Sequence, residues 1–216
     1  MNVKVAVRVR PFTSTEVSTF STDNTSNEIQ VDVHSKQIIA GSDNTFTFDH
    51  IFDEYSTQSE IYSHCVQDLI ISAFDGYTAS VLAYGQTGSG KTYTMGTSTY
   101  SQGYLSDNIG IIPRAAEQIF EIIDERKLAD PKTHYKISIQ YLEIYGDDIR
   151  DLLDKNKTTS KVTVREAPSG DVFVVGATEE VVGSSSQLLD CLSLGSKNRV
   201  TAQTQMNDSS SRSHGK

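Results

Sequence analysis

The stretch that most constrains the fold of this chain is GQTGSGKT, residues 85–92, which fits the pattern G-x-x-x-x-G-K-[ST]. Glycines at these positions let successive backbone N–H groups face inward and surround a phosphate. A helix that begins at Lys91 adds the positive end of its dipole to the same site. The apolar run ASVLAYG, residues 79–85, predicts a strand that leads into the loop. We therefore expect a phosphate-binding loop between a strand and a helix; a chance glycine-rich turn is the alternative.

Side chains of this loop suit the binding of a nucleoside triphosphate. Lys91 is placed to reach the β- and γ-phosphates, and the hydroxyl of Thr92 is placed to bind Mg²⁺. A further acidic residue for Mg²⁺ is not evident, because Asp147 and Asp148 fit a solvated turn and Asp75 ends a helical pattern. The nucleotide contacts that the loop predicts are Gly85, Gln86, Thr87, Gly88, Ser89, Gly90, Lys91 and Thr92.

Strand and helix patterns alternate along the rest of the chain. Apolar residues at every second position predict strands, and capping residues and glycines mark where helices begin and end. The predicted strands are 3–9, 46–52, 79–85 and 136–145, with a hairpin over 161–176 that turns at 168–170. The predicted helices are a single helix that follows a capping box at Thr57 and Glu60 and ends at Gly76, one with Pro113 in its first turn, and one from Ser184 to Gly195. This mixture predicts an α/β domain.

The composition of the 216 residues is that of a globular domain with a core, at 37% hydrophobic and 22% charged residues. The formal net charge of −9 argues against a protein that binds nucleic acid over its whole surface. No apolar run approaches the ~20 residues of a membrane helix, so we expect no membrane contact. Cys65 and Cys191 each lie in an apolar helical pattern, which predicts two buried, reduced thiols in an intracellular protein.

Seven short motifs follow one another along the chain: RVRP (8–11), FTFDHIF (46–52), AYGQTGSGKTYTM (83–95), IIPRA (111–115), YLEIY (141–145), DLL (151–153) and NDSSSRSH (207–214). In this order they make the chain resemble the kinesin motor domain family over its whole length. The phosphate loop followed by GIIPRA is most similar to the chromokinesin group. The resemblance implies a P-loop NTPase fold of the kinesin type, in which a central mixed, mostly parallel sheet is flanked by helices.

The last motif resembles switch I of the family, the N-x-x-S-S-R-S-H loop that senses the γ-phosphate. The resemblance implies that Ser210 and Ser211 approach the Mg²⁺, the γ-phosphate and the attacking water, and that Ser211 joins Thr92 as a Mg²⁺ ligand. Ser210 and Arg212 would arrange the water and its proton path. A small hydroxyl suits this position because it both accepts and donates hydrogen bonds. A solvated polar tail is the alternative for this stretch taken alone. The catalytic residues implied are Lys91, Ser210, Ser211 and Arg212.

For the base, the resemblance implies a clamp of Arg8 and Pro11 against Tyr93, the residue after the phosphate loop. Proline and tyrosine offer flat apolar faces on which an adenine stacks. The alternatives are an ordinary strand arginine for Arg8 and a packed helical aromatic for Tyr93. With the loop and switch I, the clamp implies ATP and Mg²⁺ as the cofactors.

Kinesins continue after switch I with an apolar strand, the switch II motif D-x-A-G-x-E and the main microtubule-binding helices. Residues 1–216 contain none of these features, so we expect a partial motor domain whose C-terminal part is missing. Such a chain lacks interior strands of its sheet and the carboxylate partner of Arg212. We therefore expect residues 1–216 alone not to hydrolyse ATP at a microtubule-stimulated rate.

The function implied by the resemblance is that of an ATP-dependent microtubule motor, a microtubule-dependent ATPase of the cytoplasm and its microtubule cytoskeleton. Kinesins place the matching hairpin on β-tubulin, so Arg165 is the expected contact with that acidic surface. Lys155, Lys157 and Lys161 fit a solvated loop instead. We expect no nucleic-acid partner, and a dimerisation region would lie outside these residues. The alternative is a truncated, non-motor kinesin-like fragment that binds nucleotide weakly or not at all; an unrelated P-loop enzyme would need an acceptor-substrate site, and none is evident.

Overall fold

The computed structural model describes residues 3–14, 16, 29–41, 44–97, 108–155 and 162–212. The chain divides into two compact units. The first unit consists of Met1–Met95 and Gly103–Ile111, and the second of Gly96–Gln102 and Ile112–Lys216.

Short strands and helices follow one another through the described residues. The strands are β1 (Ala6–Arg8), β2 (Ile29–Asp32), β3 (Gln37–Ala40), β4 (Asn44–Thr47), β5 (His50–Phe52), β6 (Ile137–Ile139), β7 (Leu142–Tyr145), β8 (Asp148–Asp151), β9 (Thr163–Glu166), β10 (Val172–Val175) and β11 (Glu180–Val182). The helices are α1 (Gln58–Cys65), α2 (Gln67–Phe74), α3 (Lys91–Met95), α4 (Ile111–Ala129) and α5 (Ser185–Arg212).

The pairing of the described strands confirms the mixture of strands and helices that the sequence predicts. β1 and β5 form a parallel pair, with Ala6 opposite His50 and Arg8 opposite Phe52. The remaining sheets are antiparallel: β2–β3–β4, β6–β11, β7–β8 and β9–β10. These described strands do not join into a central, mostly parallel sheet, so that part of the expected fold stays a prediction.

The strand predicted over residues 79–85 is wrong, because this stretch is irregular and pairs with no described strand. Its apolar side chains are exposed, with Leu82 at 88% and Tyr84 at 94%. An apolar run identifies a stretch suited to burial, but a strand forms only where a neighbouring strand accepts its hydrogen bonds. The run itself does not supply that neighbour.

Two predicted strands are each divided in the structure because the chain changes its pairing partner part of the way along. Over residues 46–52, β4 pairs with β3 and β5 pairs with β1. Asp49 lies at the change, where its carboxylate accepts the Val5 N–H at 2.7 Å and its own N–H donates to the Val5 carbonyl at 3.1 Å. Over residues 136–145, β6 pairs with β11 and β7 pairs with β8. The alternation of apolar residues persists through such a change, so the sequence pattern does not reveal it.

The first predicted helix begins as expected but consists of two helices. Thr57 and Glu60 form the capping box: Thr57 Oγ1 accepts the Glu60 N–H at 3.2 Å, and the Glu60 carboxylate accepts the Thr57 N–H at 2.7 Å. Val66 then leaves helical geometry, with φ −126° and ψ −36°, and separates α1 from α2. Its side chain is only 2% exposed. Val66 therefore remains buried at the break between the two helices. The i, i+4 spacing of apolar residues continues from α1 into α2, so this spacing does not reveal the break.

The hairpin predicted over 161–176 is confirmed for its described residues, β9 and β10. The Ala167 N–H donates to the Asp171 carbonyl at 2.8 Å, and the Gly170 N–H donates to the Ala167 carbonyl at 2.9 Å. Gly170 has a φ of 86°, a conformation that glycine adopts without strain. The predicted turn at 168–170 thus lies where the sequence places it.

The core of the second unit forms where α4 packs against α5. Ala116, Leu189 and Leu192 are 1%, 2% and 6% exposed, and the neighbouring side chains of Tyr141 and Ile112 pack against them. Ser184 opens α5 as predicted, since its hydroxyl accepts the Gln187 N–H at 3.2 Å. Each helix thus presents one apolar face to the other, which is the arrangement its periodicity predicts.

The predicted end of this last helix at Gly195 is wrong, because α5 continues through it to Arg212. A Cβ at position 195 would collide with the ring of Tyr141. The glycine therefore permits close contact between helix and ring, a role distinct from termination. Beyond it, Ser196 Oγ donates to the Thr97 carbonyl at 3.0 Å, and Asn198 Nδ2 donates to the Leu152 carbonyl at 2.8 Å. These bonds anchor the continuing helix within its unit.

The two cysteines are free thiols, as predicted, but each is half-buried. Burial raises the pKa of both Cys65 and Cys191.

Within the described residues, no helix has the length and apolar character needed to cross a membrane. The same part of the chain contains no cluster of His, Cys, Asp and Glu suited to a metal ion.

The contact between Gly195 and Tyr141 predicts a strong effect of one methyl group. Gly195→Ala should lower the free energy of unfolding by about 1–3 kcal/mol, as expected for overpacking, although alanine favours helices. Urea unfolding followed by circular dichroism measures the change. Gly183→Ala is the matched control, because a Cβ there meets only Gln187 Oε1 at 3.5 Å. Equal free energies of unfolding in the two variants would argue against the proposed contact.

Candidate nucleotide-binding site

The phosphate loop turns sharply before it enters α3. Gly88 and Gly90 have φ angles of 82° and 97°, which only glycine adopts readily. The Ser89 N–H donates to the Gln86 carbonyl at 3.2 Å, and the Thr94 N–H donates to the Gly90 carbonyl at 2.9 Å. The loop is therefore a short turn followed by the predicted helix, although α3 has only five residues.

Gly85 is required at the start of the loop for both conformation and space. Its φ is 150°, and a Cβ added there would lie 2.6 Å from Ser89 Oγ. Ser89 Oγ is buried and has no hydrogen-bond partner among the described residues. The loop thus folds back on itself so closely that only a residue without a side chain fits at position 85.

The ammonium group of Lys91 is bound by the loop itself. Lys91 Nζ donates to the Gly85 carbonyl at 2.8 Å and to the Gln86 carbonyl at 2.7 Å. This places a positive charge against the backbone of the loop. Thr92, the next residue, is exposed.

Arg8, the last residue of β1, lies beside the same helix. Its Nη1 donates to Gln58 Oε1 and to Thr94 Oγ1, both at 2.9 Å. Its guanidinium carbon lies 5.0 Å from the ring centroid of Tyr93, a cation–π distance. Burial lowers the pKa of Arg8, and the Tyr93 side chain opposes that shift. The predicted pair of Arg8 and Tyr93 is therefore in direct contact.

A buried glutamine, which the sequence reasoning missed, connects this pair to a third segment. Gln58 is 3% exposed, and its Nε2 donates to the Tyr93 carbonyl at 2.7 Å and to the Asn108 carbonyl at 3.3 Å. The Tyr93 hydroxyl donates to Asn108 Oδ1 at 3.2 Å. A polar residue in the first turn of a helix is ordinary, so the sequence gives no signal for Gln58.

One cavity of about 430 Å³ brings the predicted base-binding residues together. Arg8, Pro11 and Tyr93 line it, together with Gly90 of the phosphate loop and the newly found Gln58. Its volume lies within the ~300–1,000 Å³ of small-molecule sites. The predicted clamp residues therefore share a cavity with the phosphate loop, while their role in base binding stays a prediction.

Arg10, another residue that lines this cavity, forms an ion pair with Glu16. Arg10 donates two hydrogen bonds to the Glu16 carboxylate, at 2.7 and 2.6 Å, and the Thr13 N–H adds a third at 2.8 Å. These bonds, those from Arg10 first, lower the pKa of Glu16 to about 2. Arg10 lines the cavity, so the pair fixes a cation beside the base-binding residues.

Asn207–Arg212 do not have the loop conformation expected for switch I, because they form the last turns of α5; the role of residues 207–214 as switch I stays a prediction. The backbone of Ser210, Ser211 and Arg212 is thus helical, and Ser213 and His214 lie outside the described residues. From Ser196 to Arg212 the sequence has no glycine or proline, so nothing local ends the helix. A loop imposed by a bound phosphate is not encoded in local propensity.

The close approach at Gly85 predicts that this position tolerates no side chain. Gly85→Ala should lower the free energy of unfolding by about 1–3 kcal/mol, through backbone strain and collision with Ser89. Thermal and urea unfolding measure it. Gly41→Ala is the control, because Gly41 has a φ of 72° but no atom within 4 Å of an added Cβ. The Gly85→Ala and Ser89→Ala pair should recover part of the loss; purely additive effects would exclude the collision.

Comparison with known proteins identifies the family. The protein-family model described as the kinesin motor domain matches residues 8–215 of this chain. The human kinesin-like proteins KIF27 and KIF21A are 41% and 39% identical over 212 and 224 residues. Kinesin-related protein 8 of Dictyostelium discoideum is 40% identical over 213 residues.

These alignments cover nearly the whole chain but a small part of each relative. They span 98%, 99% and 98% of this chain, and 14%, 13% and 11% of the lengths of KIF27, KIF21A and kinesin-related protein 8. The chain therefore spans about a seventh or less of the curated relatives that it matches, and the chromokinesin-like subfamily stays a prediction. Because the family model extends over nearly all of its residues, the chain belongs to the kinesin motor domain family.

Proposed function

We propose that this chain binds ATP with Mg²⁺ and belongs to a microtubule-dependent ATPase that acts as a microtubule motor. The observation that carries the proposal is the cavity of about 430 Å³, which is lined both by Gly90 of the phosphate loop and by the clamp residues Arg8, Pro11 and Tyr93. A cavity that combines the phosphate loop with a base-stacking surface fits a nucleotide better than either feature would alone. Kinesin family membership supports the same assignment.

The base side of the cavity offers stacking surfaces. Tyr93 is 42% exposed, and Pro11 is also exposed. The fixed guanidinium of Arg8 adds a planar cation on which an aromatic base stacks. The residues present therefore fit a purine base.

The phosphate side of the cavity offers a cation and a loop that fits an anion. Lys91 would exchange its bonds to the Gly85 and Gln86 carbonyls for bonds to phosphate oxygens, since these carry the greater negative charge. The glycines at 88 and 90 allow the tight turn that directs backbone N–H groups toward an anion. Thr92 would hold Mg²⁺, and bound ATP·Mg²⁺ would supply the phosphoryl group that is transferred to water.

Ser210, Ser211 and Arg212 are proposed as catalytic on the family resemblance. Ser211 would be a second Mg²⁺ ligand, and Ser210 and Arg212 would position the attacking water. Their segment is helical in the structure, so this role requires Asn207–Arg212 to leave the helix when nucleotide binds.

Microtubules are the proposed partner, and Arg165 is the proposed contact. Arg165 is exposed on β9, directly across the hairpin from Phe173. An exposed cation at this position suits the acidic surface of tubulin, although the chain as a whole is negatively charged at −9.

Removal of the Lys91 charge tests the proposed function. In a chain extended by the C-terminal part of the motor domain, Lys91→Ala should reduce microtubule-stimulated ATP turnover by about 10²-fold or more, because it deletes the cation proposed to meet the phosphates. A phosphate-release assay with and without microtubules measures the rate. Lys4→Ala, which changes an exposed lysine in the same unit, is the control and should leave the rate unchanged. Near-normal turnover in Lys91→Ala would refute the assignment of this lysine.

The base-stacking role predicts a binding effect without a chemical effect. Tyr93→Ala should weaken the binding of ATP and ADP alike by about 1 kcal/mol, the value of a lost stacking face. In a chain extended by the C-terminal part of the motor domain, it should raise KM more than it lowers kcat. Equilibrium binding and steady-state kinetics separate the two. Tyr93→Phe keeps the ring and loses only the hydroxyl that donates to Asn108, so it should bind nearly as the parent does. Unchanged affinity in Tyr93→Ala would mean that Tyr93 is a packing residue.

A further inference from the structure

The side chain of Gln58 lies at the point where three segments of the first unit meet. It belongs to the first residue of α1, and its neighbours are Arg8 from β1, Tyr93 from α3, and Asn108 from the segment before α4. These neighbours lie 50, 35 and 50 positions away in the sequence. One side chain therefore connects parts of the chain that local structure does not hold together.

The amide of Gln58 uses both of its ends in this position. Oε1 accepts from Arg8 Nη1 at 2.9 Å, while Nε2 donates to the Tyr93 and Asn108 carbonyls at 2.7 and 3.3 Å. Among side chains of this length, glutamine alone offers an acceptor and two donors without a charge. Glutamate keeps the bond to Arg8 but sets an anion against two carbonyl oxygens. Methionine keeps the bulk and loses all three bonds.

The burial of this amide makes its bonds consequential. Gln58 is 3% exposed, so water cannot replace a bond that is lost. Thr94 Oγ1 also accepts from Arg8 Nη1, which ties Arg8 to α3. Gln58 adds a tie between Arg8 and the backbone of Tyr93, the residue over whose ring the guanidinium lies. Gln58 and Thr94 together therefore hold the guanidinium against the ring of Tyr93.

We propose that Gln58 is a positioning residue for the nucleotide base. It fixes Arg8, Tyr93 and the Asn108 segment relative to one another, and so sets the shape of the wall that receives the base. The inference rests on the proposed nucleotide-binding function. Gln58 donates a hydrogen bond to the main-chain carbonyl of Tyr93, and in the described structure it makes no hydrogen bond to the phosphate loop of residues 85–92. Its substitution should therefore weaken the binding of the base and leave the binding of the phosphates unchanged.

The test compares a ligand that has a base with one that lacks it. ADP and inorganic tripolyphosphate are bound, each with Mg²⁺, to the purified protein and to Gln58→Met, and the Kd values are measured by displacement of a fluorescent ADP. The variant should bind ADP about tenfold more weakly, as expected for a lost buried hydrogen-bond node, and tripolyphosphate within about twofold of the parent. Gln30→Met, an exposed glutamine on β2, is the matched control and should change neither Kd.

Gln58→Glu is a second variant that preserves size and the bond to Arg8, and circular dichroism of both variants shows that each is folded before its Kd values are compared. It should show the same selective loss of ADP affinity, because both donations from Nε2 disappear. A second measurement repeats Gln58→Met in the Tyr93→Ala background. There the loss should largely vanish, because the surface that Gln58 positions has been removed.

The possible failures are distinguishable. If the parent protein binds no ADP, the proposed nucleotide-binding function is wrong. If the parent binds ADP, the positioning role is overturned by unchanged ADP affinity in both Gln58 variants. It is overturned equally by parallel weakening of ADP and tripolyphosphate, which marks a general structural role, or by full additivity with Tyr93→Ala.

Discussion

The guanidinium of Arg8 is the interaction on which the candidate site depends. It is partly withdrawn from water, and burial lowers its pKa, so its charge requires partners within the protein. Gln58 and Thr94 accept its hydrogen bonds, and the ring of Tyr93 lies against its face. Because these partners come from α1 and α3, satisfying one charge brings β1, α1 and the phosphate-loop helix together. The cavity is a consequence of that arrangement.

The sequence predicted those parts of the fold whose signals are local. The capping box at Thr57, the opening of α5 at Ser184 and the turn at 168–170 involve residues three or four positions apart, and each is present. The predicted strand at 79–85 and the undivided strands at 46–52 and 136–145 failed, because strand pairing is decided by distant partners. Periodicity reports which side of a strand is apolar and not which strand lies beside it.

The same difference between local and long-range signals separates the phosphate side of the candidate site from its base side. The phosphate loop is contained in residues 85–92, and its pattern was evident from the sequence. The clamp residues Arg8, Pro11 and Tyr93 were found through family resemblance, since nothing in the residues between them links β1 to α3. Neither the sequence pattern nor the family resemblance identified Gln58 and Asn108. Their contribution is a set of hydrogen bonds across 15 to 50 positions, and such bonds leave no trace in composition or periodicity.

A locally encoded phosphate loop beside a base wall assembled from distant segments has a physical consequence. The loop retains its glycine conformations and its Lys91 bonds as long as a few consecutive residues stay in place. The base wall retains its shape only while β1, α1, α3 and the Asn108 segment remain packed together. Partial unfolding of the first unit should therefore weaken binding of the base before it weakens binding of the phosphates. The reason is that the residues that contact the base are held in place by long-range contacts. Discrimination between nucleotides would then be the more sensitive indicator of an intact fold, and retention of phosphate the less sensitive one.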